Sequence, residues 1–200
     1  MPAGNIASIT AHPGTITAVK TLHRRLFIFS QNFCEVWENA GFADFPLRRN
    51  NSLLMEFGTI SKPSVLSAFD RLFFLSNTKD GFGHIMMVSG TQAVPISNQA
   101  LDSEIQTYAT IVDAYAMCYQ TNGIIFFRLN FTTASKTWVF NATQSTPQDL
   151  RWHEEQMLDG TRNIGQIAVF YNETNYFLSY KNCRLYEVSE LFLTNDGETI

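Results

Sequence analysis

The chain has 200 residues, 45% of them hydrophobic and 14% aromatic, with 17 Phe, which is enough apolar material for one large domain or a repeat array. Charged residues make up 16%, against about 25% in ordinary globular domains, so some surface is expected either to be covered by a partner or to be built from Ser, Thr and Asn. The net charge is −4 and no Lys/Arg run exceeds the pairs Arg24-Arg25 and Arg48-Arg49, which excludes the basic stripe of a sequence-reading nucleic-acid binder.

Residues 6–22 read as a lead-in with a strand near 15–19. Strands at 25–30 and 33–37 then form a hairpin across Gln31-Asn32, followed by a polar loop, 38–52, broken by Gly41 and Pro46. Residues 53–57 read as a short helical turn, because Leu53, Leu54, Met55 and Glu56 are helix formers. A second unit has strands near 65–69, 71–76, 84–88 and 93–96, with a Gly-rich exposed loop at 77–83. A helix is expected over 98–108, capped by Ser97 or Asn98, with Leu101, Ile105 and Tyr108 at helical spacing. In a third unit, strands 113–120 and 124–130 meet at an Asn122-Gly123 turn, and 137–140 and 150–157 add further strands. A fourth has strands at 166–171, 174–180 and 184–188, then Leu191-Phe192-Leu193 and a turn at Asn195-Asp196-Gly197.

Four dense apolar runs recur through this order, beginning at Arg25, Arg71, Gly123 and Asn175, which stand 46, 52 and 52 residues apart. A unit of roughly 40–50 residues made of short strands marks a β-propeller blade, and one blade cannot bury both faces alone. The expected fold is therefore all-β: about four blade-like antiparallel sheets, part of a larger ring, with one short inserted helix. Residues 1–200 are expected to form a single propeller-type domain, with 1–22 as lead-in and 23–200 as blade repeats. The final strand starts with nothing left to pair with it, so the chain is expected to be part of a longer protein. The paired aromatics Phe27/Phe29, Phe73/Phe74 and Phe126/Phe127 lack flanking cations, so core is the better reading than base-stacking platform. Phe27, Phe29, Phe73, Phe126, Trp138 and Tyr176 are expected to be mostly buried.

Chemistry-bearing residues are sparse. Trp152-His153-Glu154-Glu155 lacks the second His of a metalloprotease helix, and adjacent carboxylates on a strand point to opposite faces. This cluster is expected to be a Trp packed between blades with solvated charges beside it. The four histidines, His12, His23, His84 and His153, have no ligand spacing, and no nucleophile elbow, P-loop or dinucleotide fingerprint occurs. Thr78-Lys79-Asp80-Gly81-Phe82-Gly83 is a poor match to a sialidase Asp-box, since Phe82 stands where Gly is needed. Cys34, Cys118 and Cys183 are odd in number and form no CxxC, as in reduced, buried thiols of a cytosolic product. Residues 1–9 do not read as a signal peptide, and the sequons at Asn130, Asn141 and Asn172 read as chance. No catalytic residue, cofactor site, metal site or membrane span is expected.

Several phrases, in order, resemble the tail hub (nozzle) or packaged-DNA stabilisation proteins of short-tailed bacteriophages and prophages. They are Phe29-Ser30-Gln31-Asn32-Phe33-Cys34-Glu35-Val36-Trp37, Ala43-Asp44-Phe45-Pro46, Pro95-Ile96-Ser97 with Leu101-Asp102-Ser103-Glu104-Ile105, Thr137-Trp138-Val139-Phe140, Trp152-His153-Glu154, Leu185-Tyr186-Glu187 and Asn195-Asp196-Gly197-Glu198. Departures from the family pattern fall at Cys34, Asn141, Glu155 and Cys183. The resemblance implies a non-enzymatic structural protein of the virion tail, made in the bacterial host cytoplasm. It implies a homo-oligomeric ring that meets the head-to-tail adaptor and the tailspike or tail needle proteins. That ring lines the DNA exit channel without sequence recognition and retains packaged DNA until ejection. A propeller scaffold of WD or kelch kind and a carbohydrate-active propeller enzyme are the alternatives; the first lacks its Trp-Asp or Gly-Gly signature and the second its converging carboxylates or arginines.

Overall fold

The computed structural model describes residues 14–43, 45–77, 83–90 and 92–188, and the backbone of 194–195 and 198–199. Sheet 1 contains β1 (Ala18–Leu22), β2 (Arg25–Phe29), β3 (Cys34–Asn39) and β4 (Leu47–Arg49), and sheet 2 contains β5 (Leu66–Ala68), β6 (Arg71–Leu75), β7 (Ile85–Ser89) and β8 (Gln92–Pro95). The helix α1 (Gln99–Gln106) follows. Sheet 3 contains β9 (Ala114–Thr121), β10 (Ile124–Phe131), β11 (Lys136–Asn141) and β12 (Trp152–Glu154), and sheet 4 contains β13 (Gly165–Tyr171), β14 (Thr174–Ser179) and β15 (Leu185–Val188). In each sheet the strands pair in chain order, which is the meander of one propeller blade. A short ladder of β16 (Thr194–Asn195) with β17 (Glu198–Thr199) comes last, and the Asp196-Gly197 turn lies outside the described residues.

The repeat seen in the sequence has a structural counterpart. Each apolar run is the second strand of its sheet, and each is entered through a two-residue turn with both central residues at positive φ. These turns are His23-Arg24, Phe69-Asp70, Asn122-Gly123 and Asn172-Glu173. Two left-handed residues match the right-handed twist of a hairpin, and only Asn122-Gly123 carries the residue types that adopt them with least strain. The helix is placed by Asn98, whose Oδ1 accepts from Leu101 N at 2.9 Å.

The chain divides into two compact units: 1–116 with 131–134, which holds sheets 1 and 2 and the helix, and 117–130 with 135–200, which holds sheet 4 and all of sheet 3 but 114–116 of β9 and residue 131 of β10. In the first unit Phe27, Phe29 and Val36 of sheet 1 pack with Leu72, Phe74 and Met86 of sheet 2. The Phe29 and Phe74 ring centres are 4.9 Å apart. In the second, Met117, Tyr119 and Phe126 of sheet 3 pack with Ala168, Phe177 and Val188 of sheet 4.

Four expectations are corrected. The strand expected in the lead-in lies at 18–22 and is the first strand of sheet 1. Within the expected loop 38–52, Leu47–Arg49 forms β4 against Trp37–Asn39. The helical turn expected at 53–57 is a 3-10 turn at Asn51–Leu53, capped by Asn50, and Met55 instead bridges Cys34. Phe27, Phe29 and Phe73 are buried as expected, but Phe126, Trp138 and Tyr176 are half-buried.

Candidate functional site

The sequence concentrates titratable groups at Trp152-His153-Glu154-Glu155, which lies at β12 in the second unit. The Trp152 ring packs on Phe140 and Phe127 of its own sheet, with centroids 5.0 and 6.4 Å away. The two carboxylates separate as strand geometry requires. Glu154 Oε1 accepts from Lys136 Nζ at 2.7 Å. Glu155 takes Arg128 Nη2 as its partner. The expectation of solvated charges beside Trp152 is therefore corrected for Glu155, whose partner is a guanidinium only 3% exposed.

Arg128 lies in β10, on the interior of the unit. Its Nη1 donates to Asn163 Oδ1 at 3.2 Å, and Asn163 Oδ1 also accepts from Gly165 N at 2.8 Å. The guanidinium carbon stands 4.6 Å from the Phe177 ring centre and 5.4 Å from that of Tyr119, within cation–π range. Thr137 Oγ1 accepts from Asn163 N at 3.2 Å and donates to Asn130 Oδ1 at 2.7 Å. This polar thread joins β10 and β11 to the entry of β13, so one cation fastens sheet 3 to sheet 4. Gly165 is needed there because a Cβ would stand 2.9 Å from the Phe177 ring and 3.2 Å from Arg128 Nη1. Arg128 Nε and Asn130 Nδ2 are buried without a hydrogen-bond partner.

Burial raises the pKa of Glu155, but the His153 imidazole, 3.8 Å from Oε1, and the Arg128 charge outweigh it and hold the carboxyl below its usual range. Burial pushes the Tyr119 hydroxyl up to about 12, against the pull of Arg128. Beside Glu155, Arg128 and Asn163 tie sheet 3 to the entry of sheet 4, and the arrangement acts as a latch.

The first unit has two smaller polar centres. Glu35, 3% exposed, accepts from Trp37 Nε1 at 3.0 Å and stands 3.6 Å from Arg49 Nη1. Burial pushes the neighbouring Cys34 thiol up, and the charge of Glu35 adds to that. His84 Nδ1 meets Asp102 Oδ2 at 2.6 Å, which ties the helix to the approach of β7.

Of the other histidines, His23 lies 3.6 Å from Asp70 in solvent, and His12 lies outside the described residues. Among the described residues, no group of three or more His, Cys, Asp or Glu is placed to hold a metal ion. Cys34 is buried as expected, but Cys118 is half-buried and Cys183 exposed, which corrects the expectation of three buried thiols, and none of the three is in a disulfide. Asn130 of the first sequon is fully buried and bonded to Thr137. Most of the Gly-rich loop, 78–82, lies outside the described residues. Sequence reasoning missed Arg128 and Glu35. The available signal was a charge inside an apolar run, Phe126-Phe127-Arg128-Leu129 and Phe33-Cys34-Glu35-Val36, since a buried charge demands a partner.

On sheet 4, cross-strand pairing sets Ile167, Leu178 and Leu185 in one row, and Val169, Tyr176 and Glu187 in the next. Ile167, Val169, Tyr171 and Leu185 are 51%, 50%, 72% and 59% exposed. On sheet 1, Val19 aligns with Ile28 and Thr21 with Leu26, Trp37 and Arg49, on the face turned away from sheet 2. Val19 and the nearby Ile16 are 47% and 52% exposed.

Among the described residues, no helix is long and apolar enough to cross a membrane. A search of curated proteins finds no match. The family model described as "Bacteriophage P22 Gp10, beta-propeller" matches residues 2–179, from before sheet 1 to the end of β14. With four blade-like meanders beneath that match, the chain belongs to the Bacteriophage P22 Gp10 beta-propeller family of phage structural proteins.

Proposed function

We propose that this chain is a component of the tail hub of a short-tailed phage, placed below the portal and head-to-tail adaptor. Several copies form a ring that extends the DNA exit channel and holds the packaged genome until ejection. The observation that carries this reading is the family match over 2–179, on a chain whose sheets repeat as blades. The chemistry is in keeping with it. The buried charges are spent on joining strands and sheets, as at Arg128 and Glu35, and the net charge of −4 suits a path along which DNA must slide without sticking. The four sheets act as one propeller-type domain. Contacts with the adaptor and with the tailspike or needle fall on segments such as 38–52, on either side of β4, and 77–83, because segments exposed on a rigid frame carry recognition. The protein is made in the host cytoplasm and works in the virion tail, without catalysis.

Deleting the gene from its phage tests the reading. Particles should package DNA and then lose it, with tails missing. Fully tailed, infectious particles without the gene product would overturn it.

A further inference from the structure

We propose that a cationic groove in the first unit, between the β1–β2 turn and the end of β3, binds an acidic segment of another virion protein. The partner class rests on the tail-hub reading, and the charge of the groove selects the acidic segment. The groove has a volume of about 650 Å³ and is lined by His23, Arg24, Arg25, Glu38, Asn39 and Gly41. Across the strands Arg25 stands opposite Glu38, and Glu38 opposite Arg48, so charges of alternating sign form one row over β2, β3 and β4. Glu38 is the one carboxylate of that row, 3.8 Å from Arg25 Nε, and it also accepts from Asn50 Nδ2 at 3.4 Å. Arg24 and Arg48 are exposed and, among the described residues, have no ion-pair partner. Three guanidiniums against one carboxylate leave two positive charges here, on a chain whose net charge is −4.

The backbone at this end holds its side chains under strain. His23 and Arg24 stand at φ 47° and 62°, and Phe69 and Asp70 of sheet 2 at 50° and 57°. The two turns are neighbours: His23 Nε2 lies 3.6 Å from Asp70 Oδ1, and Ser67 Oγ donates to Thr21 O at 2.9 Å. Asn-Gly at the first turn, as at Asn122-Gly123, would relieve most of the strain and would remove a cation from the groove. An acidic peptide suits a groove of mixed sign better than a nucleic acid does. A guanidinium takes a carboxylate by two parallel hydrogen bonds, while the peptide's own N–H groups supply donors for Glu38. A phosphate backbone carries negative charge along its whole length and would be repelled by that carboxylate.

The test is a titration of the full chain with an oligoglutamate peptide at physiological ionic strength, followed by backbone amide resonances. Saturable shifts should fall at residues 23–25 and 38–41, and an oligolysine peptide should give none. Arg24→Ser and Arg48→Ser should each weaken binding several-fold and together abolish it, with a strand spectrum by circular dichroism equal to the parent's. Replacing the turn with His23→Asn and Arg24→Gly should raise the melting temperature while weakening binding, a pair of effects that a purely structural turn would not show. No saturable shift, shifts centred elsewhere, a turn variant that binds as the parent does, binding that survives loss of both arginines, or tighter binding of duplex DNA at the same residues would each overturn the assignment. The phage-deletion phenotype is a separate readout, so failure here is distinct from failure of the tail-hub reading.

Discussion

At Arg128 a single side chain decides how two sheets meet. Its guanidinium is enclosed by Glu155, Asn163 and two aromatic rings. Removing one partner of a buried ion pair costs more than removing both, because the survivor keeps its desolvation penalty. Arg128→Ala should therefore lower stability by about 3–5 kcal/mol, and the pair Arg128→Met with Glu155→Gln should recover part of that loss. Urea midpoints measure both, and a double variant no better than Arg128→Ala alone would contradict the latch. The pH dependence follows from the same contact. The Glu155 carboxyl is held below its ordinary value of 4.5 in the folded chain. A depressed folded pKa gives stability that is present above the unfolded value and lost as pH falls through the folded one. The parent's urea midpoint should drop on acidification below 4.5, and that part of the drop should be absent in Glu155→Gln. Only the charge of Arg128 inside an apolar run was legible in the sequence, where Glu155 looked like solvated charge. Its partner lies 27 residues earlier, on another strand.

At the scale of elements, the legible parts were those with their own local chemistry. Asn122-Gly123 announces its hairpin, and Asn98 announces the helix it caps. What escaped was held by distant partners. The strand β4 has only three residues, two of them Arg, and exists because Trp37–Asn39 offer it a ladder. Leu53, Leu54 and Met55 are good helix formers, but backbone bonds between Met55 and Cys34 draw that stretch into extended pairing. The depth of aromatic residues also depends on packing across elements. Phe73 is fully buried in β6, whereas Phe126 is half-buried and stacks on Tyr119 with ring centres 5.3 Å apart. Phe73→Ala should cost about 3–5 kcal/mol and Phe126→Ala clearly less, since only part of that ring leaves water. Thermal melts rank the two, and an equal or reversed order would show that the strand faces are wrongly assigned.

For the whole molecule, the repeat spacing was enough to read blades from the sequence, because each blade needs the same turn and the same apolar strand. The charge balance bears on what the assembled protein does with DNA. Fourteen Lys and Arg face eighteen Asp and Glu. Several of the cations are committed within the fold: Arg128 to Glu155, Arg49 to Glu35, Arg151 to Asp149 at 3.0 Å, Lys136 to Glu154 and Lys181 to Asp159 at 3.4 Å. Arg162 is 4% exposed and lies over the Tyr180 ring. The remaining cations are outnumbered by the carboxylates, and each phosphate contact would add about 0.9 to the slope of log affinity against log salt. The chain should therefore leave the gel mobility of duplex DNA unchanged at physiological ionic strength. Tight binding that falls steeply with salt would contradict a path that holds DNA by enclosure and lets it slide.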